Sequence, residues 1–204
     1  MLPPRPPEQL LIDLIPSLPS GSLICNTLGR GQFAAAYSRH WPQGNATLWS
    51  FDDYHHQLIE QDLADRAPNL HLLCQPDLPS GPFDIAALLV HRQGDGELVR
   101  DLLQQMCLRL KDGGLLLAAS DNPRDTWLAD QIDKLFVERA RQQHEAGVAY
   151  QAKRIAPPKK LKHYDADFVC RDGEHLLKLH TRPGVFSHRE VDPGARALMH
   201  AMKI

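Results

Sequence analysis

SLICNTLGRGQFAAAYSRH, residues 22–40, passes from a compact apolar run through two glycines into an alanine-rich stretch. Residues 22–26 suit a short buried strand, and residues 32–40 favour helix because alanine loses no side-chain entropy there. Gly29 and Gly31 between them allow a sharp turn and a close backbone approach. The order strand, glycine loop, helix is how a doubly wound α/β domain begins.

The same rhythm continues outward. Ala46-Thr-Leu-Trp-Ser-Phe ends at Asp52-Asp53 and leads into a helical stretch over residues 54–66, with Leu58, Ile59 and Leu63 on one face. His71-Leu-Leu-Cys reads as a strand, and Phe83-Asp-Ile-Ala-Ala-Leu-Leu-Val as a strand buried on both sheet faces. Residues 97–110 carry Leu98, Leu102, Met106 and Leu110 near helical spacing, and Lys111-Asp-Gly-Gly turns the chain into Leu115-Leu-Leu-Ala-Ala. A further helix is expected over residues 125–141. Upstream, Leu10, Leu11, Leu14 and Ile15 give a short leading helix that stops at Pro16. Strands alternating with helices need long crossovers, so the fold class is α/β: a doubly wound, mostly parallel sheet of Rossmann-like type. Residues 147–155 and 167–181 read as two extended segments that would pair antiparallel at its edge. Near the end, Asp192 suits a helix cap and Pro193 a first helical position.

The chain has 204 residues, enough for a sizeable core, and 23 Lys+Arg against 25 Asp+Glu give a formal charge of -2. No global field therefore draws it to nucleic acid or membrane, and any RNA contact must be local. Cys25, Cys74, Cys107 and Cys170 form no CxxC pair and read as reduced thiols. The N-terminal apolar stretch is Pro-interrupted and too short for a signal peptide or a span, which implies a cytoplasmic protein with no membrane partner.

Gly29 and Gly31 are the candidate cofactor-binding backbone, Asp52 stands where such folds hold ribose hydroxyls, and Asp77 could hold an adenine amine. Lys153, Arg154, Lys159, Lys160 and Lys162 concentrate positive charge, with Tyr150 and Tyr164 as flanking stacking surfaces, and are the candidate RNA-binding set. His55-His56 lacks the spacing of a metal site, and Ser120-Asp121 and Ser187-His188 lack a nucleophile elbow. No metal and no catalytic residue are assigned.

The order of glycine loop, Asp52, Asp77, Phe83-Asp84 and Lys111-Asp-Gly-Gly-Leu-Leu-Leu resembles a class I S-adenosylmethionine-dependent methyltransferase over the whole chain. Within that superfamily, Gly184-Val-Phe-Ser with Asp192-Pro-Gly-Ala-Arg and Leu198 is similar to the opening of the catalytic half of two-domain ribosomal RNA guanine-N2 methyltransferases. Leu23-Ile-Cys-Asn followed by Ala34-Ala-Ala resembles the altered first strand of their N-terminal half, a methyltransferase-like domain that helps bind RNA. Catalytic members show Asp-x-Gly-x-Gly-x-Gly after the first strand. Here Cys25 stands at the acid and Thr27 at the first glycine, and His91-Arg-Gln-Gly stands where Asn-Pro-Pro-Phe would hold the target amine.

The resemblance implies a methyltransferase-like domain over residues 1–181, and over residues 182–204 a linker and the first helix of a catalytic domain not present in this sequence. S-adenosylmethionine would serve the parent enzyme without being bound by this chain. The partners would be ribosomal RNA and the missing catalytic half. Two other readings are a complete small methyltransferase with a divergent cofactor loop, and a scaffold domain that forms homo-oligomers.

Overall fold

The computed structural model describes residues 3–202. Contacts divide the chain into two compact units: one runs to Gly94 and resumes over Leu102–Lys159, and the other comprises Asp95–Asp101 and the chain from Lys160.

The larger unit is built on a seven-stranded sheet of β1 (Ser22–Cys25), β2 (Asn45–Ser50), β3 (Leu70–Cys74), β4 (Phe83–Val90), β5 (Leu110–Ser120), β6 (Val137–His144) and β7 (Gly147–Lys153). Their order is β3-β2-β1-β4-β5-β7-β6, parallel from β3 to β5 and antiparallel from β5 through β7 to β6. The helices are α1 (Pro6–Ile12), α2 (Gln32–His40), α3 (Asp53–Asp62), α4 (Gly96–Arg109) and α5 (Trp127–Ile132). From β1 the chain winds outward one way through α2 and β2, and from β4 the other way through α4 and β5. Right-handed crossovers in opposite directions put α2 and α4 on opposite faces.

Alternation along the strands sorts the core accordingly. Leu23, Cys25, Ile85, Ala87, Leu89, Leu117 and Ala119 face one side and pack with Leu10, Leu11 and Leu14 of the leading segment, Phe33 and Tyr37 of α2, and Ile59 of α3. Ile24, Ala86, Leu88, Leu116 and Ala118, also buried, face the other.

Two expectations are corrected. The helix expected over residues 125–141 stops at Ile132, and Val137–His144 is strand β6. Its side chains are almost all exposed, so no apolar period marks it, and pairing with β7 creates it. The antiparallel edge is therefore made by β6 and β7. The later extended segment instead folds back on itself as a separate hairpin, β8 (Ala166–Asp172) with β9 (His175–Thr181), turning at Gly173 with φ +56°. An Asp-Gly pair between apolar runs is a hairpin signal.

In the smaller unit, α6 (Pro193–Ala201) starts as expected: the Asp192 side chain accepts from the Ala195 N–H at 2.8 Å. Within the same unit, Arg189 Nε lies 3.0 Å from the Glu97 carboxylate and His188 Nε2 lies 2.9 Å from the Tyr164 carbonyl.

Candidate functional site

In open α/β sheets ligands bind outside the carboxyl ends of the strands where the winding reverses, here between β1 and β4. The residues after β1 shape this crevice. Asn26 is buried, its amide donating to the Leu89 carbonyl at 2.9 Å and its carbonyl accepting from the Leu89 N–H at 2.7 Å. The side chain thus prolongs the ladder across the crevice floor.

Thr27 follows, and its hydroxyl oxygen accepts from the N–H groups of Gly29 (2.9 Å), Arg30 (3.0 Å) and Gly31 (3.1 Å). Three converging backbone donors are what an anion would seek. The loop still needs its glycines: Gly29 has φ +106° and Gly31 φ +68°. A Cβ on Gly31 would lie 2.2 Å from Leu48 Cδ2.

The amino terminus of α2 also meets a carboxyl group. Glu8, fully buried on α1, accepts from the Gly31 N–H at 3.0 Å through Oε1, and its Oε2 lies 3.4 Å from the Gln32 N–H. Burial raises its pKa above the usual 4.5, against the lowering effect of these donors and of Arg30 and Arg5. Burial likewise pushes the Cys25 thiol up and keeps it unreactive. Sequence reasoning missed Glu8: Pro-Pro-Glu is an ordinary helix opening, and nothing local ties it to a loop 23 residues on.

Asp52 follows β2 and caps α3, Oδ1 accepting from the His55 N–H at 2.9 Å and Oδ2 lying 3.0 Å from His55 Nδ1. The His55 backbone donor, followed by its side chain, lowers the Asp52 pKa despite slight desolvation. The His55 ring edges the loop, since a Cβ on Gly29 would meet its Cδ2 at 3.2 Å. Asp77 is exposed after β3, where Gln75 Nε2 donates to its carbonyl oxygen. After β4, His91-Arg-Gln-Gly closes on itself and on Asp121: His91 Nε2 lies 3.3 Å from Oδ2, and the Arg92 N–H donates to Oδ1 at 2.6 Å.

Asp84 lies at the opposite end of the sheet. Ser22 donates to it through N–H (2.8 Å) and hydroxyl (2.7 Å), and Lys111 Nζ is 2.6 Å away. Desolvation opposes its charge, but Lys111 and Ser22 outweigh it and bring the pKa down to about 2.

The expected basic set is not one patch. Arg154 is buried and paired with Asp112, and its backbone closes the turn at Gly113-Gly114, so it belongs to the fold. Lys153 is exposed but pairs with Glu138 at 2.5 Å. Lys159, Lys160 and Lys162 are exposed. Tyr150 is buried, its hydroxyl donating to Asp125, so it offers no stacking face; Tyr164 is half-buried. Among the described residues no group of three ligating side chains could hold a metal, and no helix is long and apolar enough to cross a membrane.

No protein-family model matches the chain, and no curated protein matches it in sequence. Solved structures do match in shape. A 16S rRNA N2 G1207 methyltransferase (RsmC) from T. thermophilus, in complex with AdoMet and guanosine, superposes with TM-score 0.74 at 18% identity over 96% of this chain. The fold is Rossmann-like, of the methyltransferase type. The N-methyltransferase NodS from Bradyrhizobium japonicum WM9 matches 73% of the chain and 94% of its own length at TM-score 0.56 and 14% identity. An O-methyltransferase family protein from Burkholderia thailandensis matches 73% of the chain and 56% of its own at TM-score 0.59 and 14% identity. The chain spans about half the length of the T. thermophilus enzyme, 51%.

Proposed function

We propose that this chain is the non-catalytic, RNA-orienting half of an S-adenosylmethionine-dependent rRNA (guanine-N2) methyltransferase. The observation that carries the reading is the occupation of the glycine loop by the chain itself. Thr27 takes three loop donors, and Glu8 puts a buried carboxyl group against the amino terminus of α2, where an anionic ligand group would otherwise find its donors. A fold whose functional donors are already satisfied gives no return on binding an anion. Asp52 is engaged by His55, and His91-Arg-Gln-Gly replaces the Asn-Pro-Pro-Phe motif after β4. These residues do not fit the cofactor, and no methyl-transfer step is derived for this chain.

The rRNA part rests on the Gly184-Val-Phe-Ser motif and on the likeness in shape, across nearly the whole chain, to an rRNA methyltransferase. The lysines at 159, 160 and 162 would supply phosphate contacts that position RNA without reading its sequence. The cofactor and the chemistry would belong to a second domain of the parent enzyme.

Isothermal titration of the chain with S-adenosylmethionine is expected to give no binding heat up to millimolar ligand. Micromolar affinity would sink the reading in favour of a complete methyltransferase, for which Gly29 and Gly31 at positive φ beside Asp52 are the supporting feature.

A further inference from the structure

The smaller unit contains a cleft of about 260 Å³ between strand β8 and helix α6. Its walls combine two chemistries. From β8 come Val169 and Arg171, two apart on the strand and therefore on the same face. From α6 come Arg196, Met199 and His200, spaced i, i+3, i+4 so that they form one stripe along the helix. Among the described residues that line the cleft none is acidic.

Arg171, Arg196 and His200 are exposed, so their polar ends meet a ligand without first breaking into a core. Met199 and Val191 are half-buried and, with the exposed Val169, give the cleft apolar lining. A cleft lined by two arginines together with apolar side chains matches an anion that carries a flat or apolar body. Guanidinium is the side chain best suited to phosphate oxygens because its planar fork gives two parallel donors. The volume is near the lower limit of small-molecule pockets, about 300 Å³, and suits one nucleotide unit better than a length of peptide.

We infer that the β8–α6 cleft is a nucleotide subsite for single-stranded RNA, in which Arg171 and Arg196 hold a phosphodiester and Val169, Val191 and Met199 receive the attached sugar or base. This rests on the RNA-orienting reading and gives it a second contact besides the lysines at 159, 160 and 162.

The test uses the full chain and a labelled single-stranded RNA oligonucleotide, with affinity measured across a salt series. Arg171→Gln with Arg196→Gln is expected to weaken binding at least about tenfold. It should also reduce the slope of log affinity against log salt by about 1.4, the contribution of two single-strand phosphate contacts. The charge-preserving pair Arg171→Lys with Arg196→Lys should keep most of that slope, which separates charge from folding. On the unmodified chain, saturating RNA should protect Arg171 and Arg196, which line the cleft, from an arginine-specific dicarbonyl reagent as read by peptide mass spectrometry. Binding within twofold of the wild type for the glutamine pair, or unprotected Arg171 and Arg196 in the RNA complex, overturns the subsite and leaves the RNA-orienting reading standing. Absence of any RNA binding by the wild type at low salt overturns the RNA reading and the subsite together.

Discussion

At the amino ends of β1 and β4, Asp84 joins the two strands through Ser22 and is held ionised by Lys111. At the carboxyl ends of the same strands Asn26 makes the join, and a second carboxyl group, Glu8, lies buried against the glycine loop. One seam thus ends in two acids with opposite shifts: Asp84 falls to about 2, and Glu8 rises above its usual 4.5. The amino end uses a charge pair that solvent still reaches, an arrangement that only needs to hold strands together. The carboxyl end, where a doubly wound fold keeps its ligand, is closed by neutral amide bonds, a hydroxyl and a desolvated carboxyl group. What separates the ends is the placement of donors, and the carboxyl end spends its donors inward.

The largest expected effect tests the closure itself. Asn26→Leu leaves the Leu89 N–H and carbonyl buried without partners and should cost about 3 kcal/mol, read as a shift in urea midpoint at unchanged slope. A loss below about 1 kcal/mol would mean that the side chain is not what joins the strands there. At the amino end, Asp84→Asn should cost about 1 kcal/mol at pH 7, a modest figure because solvent screens the Lys111 pair. Its folded pKa lies below the unfolded value, so this stability is present above about pH 4 and is lost as pH falls through 2. Urea melts of wild type and variant should therefore converge in acid; a constant gap would remove the charge pair from the account. The smallest effect is one of sign. Glu8 has a raised folded pKa, so its contribution is fully present below the unfolded value and declines as pH rises through the folded one. Glu8→Gln keeps an acceptor for Gly31 and should flatten this decline above pH 4.5. An unchanged profile would show that Glu8 titrates as it does in solution.

Much of this contrast was legible in the residues. The run Phe83–Val90 is the strand the sequence implies, residue for residue, because it is apolar but for Asp84 and bounded by loop chemistry. Gln32–His40 and the Asp192 cap of α6 likewise follow from local preference. Val137–His144 was not legible as a strand, since an exposed edge carries no period and its pairing comes from β7. Within the site, Thr27 is readable as a Cβ where a glycine is expected. That its hydroxyl gathers three N–H groups depends on the loop's conformation. Arg154 and Tyr150 look like surface residues in a basic stretch; the place of Tyr150 on β7, and the backbone bonds of Arg154 to Gly113 and Gly114 just past it, send them inward. Glu8 gave no signal, because its role is set by the packing of α1 against α2.

The threonine that gathers the loop has a consequence for how the domain responds to its surroundings. A protein that leaves an anion site open gains stability whenever the anion is abundant, since a ligand that favours the folded state raises its melting temperature by mass action. With Thr27 and Glu8 as built-in occupants, the proposed domain carries that stabilisation within its own covalent chain. Its melting temperature should stay constant across metabolite levels, so that it remains an unchanging platform while a partner domain fills and empties.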